Sequence, residues 1–305
     1  MTLDRREFLH VVLAGAVGAT FTDWAFAQGP PPPITATKLA GDLVVLSGDG
    51  GNVAIVIGAD GLLMIDGGLT ERSAELLKAI ADIDGHKVTT LFNTHWHFDH
   101  VGCNEALGKM GTKILAHENV RKRLGERVTI EALNRTVDPL KPEGMPAETF
   151  TTGGNLTFGT QRLEYTHFPA AHTDGDACVF FPALNVLHTG DLLFNRSYPL
   201  IDYSSGGYIE GMISAAEALG KIGDAQTRII PGHGPMATKS DLQTARDMLA
   251  TTYERLAPMI KAGKTVEEAI AAKPTREFDE RFSLGRKPDA FVQIAYTSIA
   301  RHQRG

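Results

Sequence analysis

Three histidines and one aspartate lie within a single stretch of six residues, His-Trp-His-Phe-Asp-His at positions 95–100. The stretch follows the apolar run Val88 to Phe92, which has the length of a buried strand. Imidazole nitrogen and carboxylate oxygen are ligands of zinc, iron and manganese. The four side chains lie at positions 95, 97, 99 and 100, and this spacing does not place them on one face of a helix. They can therefore converge only from an irregular loop. Because the whole chain has 11 histidines, three in one hexapeptide favour a metal site over a chance polar turn.

Further candidate ligands follow other short apolar runs along the chain. His172 comes after the run 163–168, Asp191 after 186–188, and His233 after 228–230. Each run is typical of a buried strand. With the hexapeptide they form a set of seven candidates, which is too many for one zinc ion and suited to two: His95, His97, Asp99, His100, His172, Asp191 and His233. This dispersed set ties residues 66 to 233 into one domain.

The order of these motifs resembles the metallo-β-lactamase superfamily over most of residues 40–235. The resemblance implies an α+β fold, a four-layered αβ/βα sandwich with the metal site at its edge. It also implies a first metal on His95, His97 and His172, a second on Asp99, His100 and His233, and a bridge through Asp191. Asp66, at the end of an earlier strand, matches an aspartate that supports the ligand loop, although an aspartate before a glycine turn suits that position equally well.

Two divalent ions in such a site lower the pKa of a bridging water and provide hydroxide near neutral pH. The sequence therefore predicts a dinuclear zinc-dependent hydrolase, with iron or manganese as alternative metals, that cleaves an amide, ester or thioester. Asp99 has a further catalytic role in this prediction, orienting the hydroxide and relaying its proton. No serine nucleophile is required, and the chain has no Gly-x-Ser-x-Gly motif.

The bond that is cut is less closely specified by the residues. Asp191 stands where established lactamase subclasses hold cysteine or serine, and is typical of glyoxalase II-like thioesterases and of lactonases. Phe194 replaces both a carboxylate-binding lysine of one lactamase subclass and the tyrosine of lactonases. Arg196 is a candidate substrate-binding cation, although exposed arginines without that role are commoner. The same motifs also fit a mononuclear iron persulfide dioxygenase that uses His95, His172 and Asp191.

The first residues predict an export signal rather than part of the fold. A twin arginine, Arg5-Arg6, precedes the apolar segment 11–19 and the small-residue cleavage motif 25–27. We expect a twin-arginine signal over residues 1–27, a proline-rich spacer over 28–39, a catalytic domain over 40–238 and a C-terminal helical extension over 239–305. The expected location is the periplasm.

Charge and apolar patterning restrict the partners of the chain. With a net charge of −6 and no basic run, nucleic acid is not an expected partner, and we expect a small-molecule substrate. The apolar part of the signal is too short to span a membrane permanently. Once the signal is cleaved, we expect no stable membrane insertion. Cys103 and Cys178 are expected to be buried free thiols, with a disulfide as the alternative. Arg286-Lys287 either meets an anionic substrate or, as is commoner, forms a solvated turn.

Apolar periodicity predicts the order of the main elements. A glycine-punctuated meander covers residues 43–65, a helix covers 71–83, and a strand returns at 88–92. Strands at 163–168, 178–182 and 185–187 are expected to form a second sheet, followed by a helix within 208–222. Beyond residue 234 the pattern is helical to the end of the chain.

Overall fold

The computed structural model describes residues 32–48 and 50–303, so the predicted signal over 1–27 lies outside the described residues. The strands of the described part are, in chain order, β1 (Thr35–Ala40), β2 (Leu43–Ser47), β3 (Val53–Gly58), β4 (Gly61–Ile65), β5 (Val88–Asn93), β6 (Lys113–His117), β7 (Val128–Ile130), β8 (Arg135–Val137), β9 (Glu148–Phe150), β10 (Gly153–Phe158), β11 (Gln161–Phe168), β12 (Asp176–Phe181), β13 (Val186–Phe194) and β14 (Arg228–His233). Its helices are α1 (Ser73–Ile83), α2 (Asn104–Lys109), α3 (Glu118–Leu124), α4 (Ile209–Leu219), α5 (Lys239–Lys261), α6 (Val266–Ala271) and α7 (Pro288–His302).

These strands form two large sheets and one small hairpin. The first sheet has the order β1-β2-β3-β4-β5-β6-β9, in which β1 to β4 are antiparallel and β4, β5, β6 and β9 are parallel. Helix α1 provides the crossover from β4 to β5, as a parallel pair requires. The second sheet has the order β10-β11-β12-β13-β14, with only the last pair parallel. Strands β7 and β8 pair separately.

Side chains alternate between the two faces along each strand of the first sheet. One core therefore lies between the two sheets, and another lies on the outer face of the first sheet. Leu63 and Ile65 of β4 pack in the central core with Val179 of the second sheet. Their neighbours Leu62 and Met64 belong instead to a core that includes helix α1. A period of two residues in a strand produces this division. Both faces of the first sheet are therefore buried.

Helices α4, α5 and α7 cover the outer face of the second sheet. Ile229 of β14, Leu219 of α4 and Phe291 of α7 are fully buried in one continuous core. Helix, sheet, sheet and helix follow one another in four layers, which confirms the predicted α+β sandwich with C-terminal helices. Tyr198 stacks on Phe291 with ring centroids 4.8 Å apart, so the C-terminal segment shares its core with the sandwich.

Two features of the fold differ from the sequence expectation. Strand β1 begins at Thr35, inside the predicted spacer 28–39, because residues 35–40 pair with β2 and extend the first sheet by one edge strand. Strand β13 runs on to Phe194, well past the predicted 185–187, with irregular register after His188. That irregular half of β13 carries part of the candidate site.

Both cysteines are free and buried, Cys103 at the start of α2 and Cys178 in β12. Burial raises the pKa of each thiol to about 12, so neither is a thiolate at neutral pH. They agree with the expected pair of buried free thiols.

None of the helices among residues 32–48 and 50–303 has the length and apolar character needed to cross a membrane.

Candidate metal centre

The predicted ligands come from different parts of the chain to one edge of the sandwich. The loop 94–103 follows β5, His172 lies between β11 and β12, Asp191 lies in β13, and His233 ends β14. Strands β4 and β5 are parallel, as are β13 and β14, and the carboxyl ends of parallel strands share an edge of their sheet. The two sheets thus bring their loop ends together at one place.

All seven candidate ligands converge there in two groups. Within each group the ligand atoms lie within 4.8 Å of one another. The side chains are buried, and only His233 keeps 14% of its surface exposed. The first group is His95, His97, His172 and Asp191, and the second is Asp99, His100 and His233.

Asp191 lies between the two groups and directs one carboxylate oxygen towards each. Its Oδ2 is 3.3 Å from His172 Nε2 and 3.7 Å from His95 Nε2. Its Oδ1 is 3.1 Å from His100 Nε2 and 3.4 Å from His233 Nε2. This is the placement that a carboxylate shared by two ions needs.

The donor atoms at the centre fit a bound cation. In the described part of the chain, His95 Nε2 and Asp191 Oδ1 are buried and have no hydrogen-bond partner. Buried polar atoms without partners are costly, and a metal ion would satisfy both. The first group offers donors from four residues and the second from three, and in both groups the donors are imidazole nitrogens and carboxylate oxygens. This donor chemistry suits zinc.

The second nitrogen of several imidazoles is held by a fixed acceptor. His100 Nδ1 lies 2.8 Å from Asp66 Oδ2, and His172 Nδ1 lies 2.8 Å from the carbonyl oxygen of Leu200. Asp66 also accepts from Thr94 N and Thr94 Oγ1, each at 2.8 Å, which fixes the start of the ligand loop. Such contacts set the tautomer and direction of each ring. Asp66 occupies the supporting position that the resemblance implies.

Asp202 is a functional residue that the sequence reasoning missed. Its Oδ2 lies 3.0 Å from His97 Nε2, which leaves His97 Nδ1 directed at the first group, 2.8 Å from His172 Nε2. Ser205 Oγ donates to Asp202 at 2.5 Å and Ser204 N at 3.1 Å, so the carboxylate is itself held in place. Asp202 is 105 residues from His97 along the chain, and the short apolar run 198–201 before it contains a proline and forms no strand, so no strand-end pattern marks it.

Burial and charge set the protonation of the ligands. Burial, reinforced by His100, holds the pKa of His95 well below its usual range, and burial lowers the pKa of His172 to about 4. Both are therefore neutral imidazoles, the form that binds metal. Burial opposes ionisation of Asp191, but the nearby imidazoles of His233 and His100 outweigh it and hold the pKa of this carboxyl well below normal.

Glycines allow the backbone to approach these side chains closely. A Cβ on Gly51, in the turn between β2 and β3, would lie 2.3 Å from the His100 ring, and a Cβ on Gly232 would lie 2.0 Å from Asp191 Oδ1. Gly51 N donates to the carbonyl oxygen of Asp99 at 3.2 Å. The turn between β2 and β3 therefore rests directly on the ligand loop.

A narrow cleft with apolar walls opens onto the centre. Phe194 stacks on His233 with ring centroids 5.0 Å apart. Arg196, the predicted substrate-binding cation, is exposed in a left-handed turn with φ of 63° and does not line the cleft. The lining residues are His97, Phe98, Asp99, Leu133, Asp191, Phe194, Leu200 and His233.

A buried histidine–aspartate cluster at the edge of a two-sheet sandwich defines a metal-binding enzyme. The family description of the metallo-beta-lactamase superfamily matches residues 46–247. This chain belongs to the metallo-β-lactamase superfamily, and it is a metal-dependent hydrolase as predicted.

Individual relatives support this membership. The chain is 26% identical over 219 residues to a hydroxyacylglutathione hydrolase of Nitrosococcus oceani, covering 71% of this chain and 72% of the relative. It is 24% identical over 192 residues to a metallo-beta-lactamase type 2 of Bacillus sp. strain 170, covering 62% of this chain and 68% of the relative.

Solved structures show the same fold at lower sequence identity. A metallo-beta-lactamase from Pontibacter korlensis superposes with a TM-score of 0.59 and 22% identity, over 71% of this chain and 99% of that one. The sec-alkylsulfatase Pisa1 from Pseudomonas sp. gives a TM-score of 0.64 and 17% identity, over 87% of this chain and 50% of that one.

Proposed function

We propose that this chain is a dinuclear zinc hydrolase that cleaves thioesters or activated esters in preference to lactams. The observation that carries the proposal is the position of Asp191, whose two oxygens face separate groups of imidazoles. The first ion would be held by His95, His97 and His172 and the second by Asp99, His100 and His233. When bound, such ions supply Lewis acidity and make hydroxide available near neutral pH.

Asp99 is the carboxylate placed to orient a hydroxide in this site. Its Oδ2 lies 3.2 Å from His233 Nε2, and it lines the cleft. Burial opposes its ionisation, but His100 and His233 hold the pKa of Asp99 at about 2. The side chain is therefore a carboxylate at neutral pH, and its oxygens can accept a hydrogen bond from the attacking hydroxide and so orient it. Phe194 and Leu200 give the cleft an apolar wall.

The carboxylate at position 191 also favours a particular substrate class. It places negative charge at the centre of the site, which strengthens cation binding but makes the centre less electrophilic. Thioesters and activated esters have leaving groups that need less assistance than a lactam nitrogen. The relative from Nitrosococcus oceani, a hydroxyacylglutathione hydrolase, is consistent with this preference.

Metal removal and reloading tests the proposal. Protein stripped with a chelator should lose hydrolysis of phenyl thioesters, and zinc should restore it. Across a panel of thioester, activated ester, lactone and β-lactam, we expect kcat/KM to be highest for the thioester. Hydrolysis of several β-lactams with kcat/KM of the order of 10⁶ M⁻¹s⁻¹ would contradict the preference, because that value is within the ordinary range for an enzyme's own substrate.

We further propose that the chain acts in the periplasm after export by the twin-arginine route. The support is Arg5-Arg6 and the cleavage motif 25–27, all outside the described residues. Wild-type protein should begin at Gln28, and replacement of Arg5 and Arg6 with lysine should retain the precursor in the cytoplasm. Export and normal cleavage of the double-lysine variant would show that another route is used.

A further inference from the structure

A half-buried cation that has no ion-pair partner in the described part of the chain lies near the metal centre. Arg286 is half-buried, and its Nε is fully buried. Within residues 32–48 and 50–303 its Nε finds no hydrogen-bond acceptor. Other arginines differ, since Arg123 pairs with Asp174 at 2.7 Å and Arg255 pairs with Glu277 at 2.6 Å. The neighbouring Lys287 is exposed, so the solvated-turn expectation holds for Lys287 and is wrong for Arg286.

The backbone fixes Arg286 beside the wall of the cleft. Arg286 forms an antiparallel bridge with Tyr198, and Leu284 N donates to the carbonyl oxygen of Arg196 at 3.0 Å. Tyr198 belongs to the segment between Phe194 and Leu200, both of which line the cleft. Tyr198 is fully buried and its hydroxyl donates to Asp279 at 2.7 Å. The segment before α7 is thereby held against the same wall.

The charge of Arg286 lies within electrostatic reach of the metal centre. Burial lowers the pKa of Arg286 to about 10, and the Asp191 carboxylate, which acts in the opposite direction, is close enough to attract it. The guanidinium therefore stays charged at neutral pH. Asp191 is already surrounded by the imidazoles of His95, His100 and His172 and does not form an ion pair with Arg286.

A buried guanidinium nitrogen without an acceptor, such as Arg286 Nε, destabilises the fold, and an incoming anion would offset that cost. We propose that Arg286 anchors a carboxylate of the substrate, remote from the bond that is cut. The planar guanidinium matches the two oxygens of a carboxylate, and one unpaired positive charge matches a monoanion better than a phosphate dianion. This inference rests on the proposed thioester or ester hydrolysis and names the substrate class as carboxylate-bearing acyl compounds.

Kinetics on paired substrates test the anchor. The substrates are the mono-S-phenyl thioesters of succinic, glutaric and adipic acids and their methyl esters, so that only the charge differs within each pair. For the best acid of the series, Arg286→Gln should raise KM by about 10- to 100-fold, the value of a hydrogen bond to a charged group. We expect little change in kcat, an unchanged KM for the methyl ester, and partial recovery with Arg286→Lys.

Matched controls separate the anchor from general electrostatics and from the chemistry. Lys287→Gln and Arg196→Gln remove exposed cations and should leave every KM unchanged, and Arg286→Gln should retain the wild-type metal content. If Arg286→Gln affects acid and methyl ester equally, or neither, the anchor is overturned.

A binding measurement keeps the anchor testable even if hydrolysis is absent. Ketones in which CH₂ replaces the thioester sulfur serve as probes in calorimetric titration of zinc-loaded protein. Wild type should bind the carboxylate ketone more tightly than its methyl ester, and Arg286→Gln should abolish the difference. Equal binding by wild type and variant would overturn the anchor, whereas absence of turnover alone would overturn only the proposed function.

Discussion

Replacement of Asp191 with alanine is expected to lower kcat/KM for thioester hydrolysis by roughly three orders of magnitude, because it removes the carboxylate that would hold both of the ions on which the reaction depends. The carboxylate is the negative charge between two groups of imidazoles, with oxygens 3.3 Å from His172 Nε2 and 3.1 Å from His100 Nε2. Without it both groups lose an anionic ligand that they share, so both lose affinity for cations.

The measurement is kcat/KM together with zinc content on the same sample. Asp82→Ala is the control, since Asp82 is a carboxylate on the exposed face of α1 with 64% of its side-chain surface accessible. Asp191→Cys should retain more metal than Asp191→Ala, because a thiolate is also a zinc ligand, and should shift residual activity towards lactams. Near wild-type turnover by a folded Asp191→Ala variant would show that this carboxylate is not shared by reacting metal ions.

Replacement of Asp202 with alanine is expected to weaken zinc binding by about 10- to 100-fold, the usual effect of losing an acceptor behind a metal-binding histidine. Asp202 holds His97 through Nε2 at 3.0 Å and so fixes the ring with Nδ1 towards the first group. Once the acceptor is gone, the ring is free to turn or to change tautomer. Asp202→Asn keeps an oxygen acceptor and should lose less affinity.

Zinc dissociation constants from competition with a chromophoric chelator measure this effect. Ser204→Ala is a suitable control, since the Ser204 hydroxyl donates to Asp202 and does not contact His97. Thermal unfolding of the metal-free proteins shows whether the turn at 203–205 has been disturbed. Unchanged zinc affinity in a stable Asp202→Ala variant would remove Asp202 from the support of the site.

Local patterns in the sequence were sufficient for the candidate ligands, and the sandwich was predicted from the family resemblance that the order of those ligands carries. The ligands could be found because each follows an apolar strand, and strands that share an edge deliver their loop residues to one place. His172 and His233, 61 residues apart in number, meet for this reason. Strong apolar periodicity likewise marked α1 and the helices beyond residue 239.

Residues whose role depends on tertiary contact could not be found in this way. Asp202 supports His97 only because the chain after β13 folds back under the ligand loop. Arg286 lies near Asp191 because residues 283–286 pair with 197–198, a contact with no local sequence signal. The short strands and helices of residues 104–160 were unassigned because three- to seven-residue elements carry too few apolar repeats to define a period.

Metal content of the folded wild-type protein tests the central claim most directly. Mass-spectrometric metal analysis of protein purified from its native compartment should give about two zinc ions per chain. His233→Ala should reduce this towards one, because it removes a ligand from the second group only. One iron ion per wild-type chain, accompanied by oxygen consumption with a persulfide, would contradict the dinuclear hydrolase and identify a mononuclear dioxygenase.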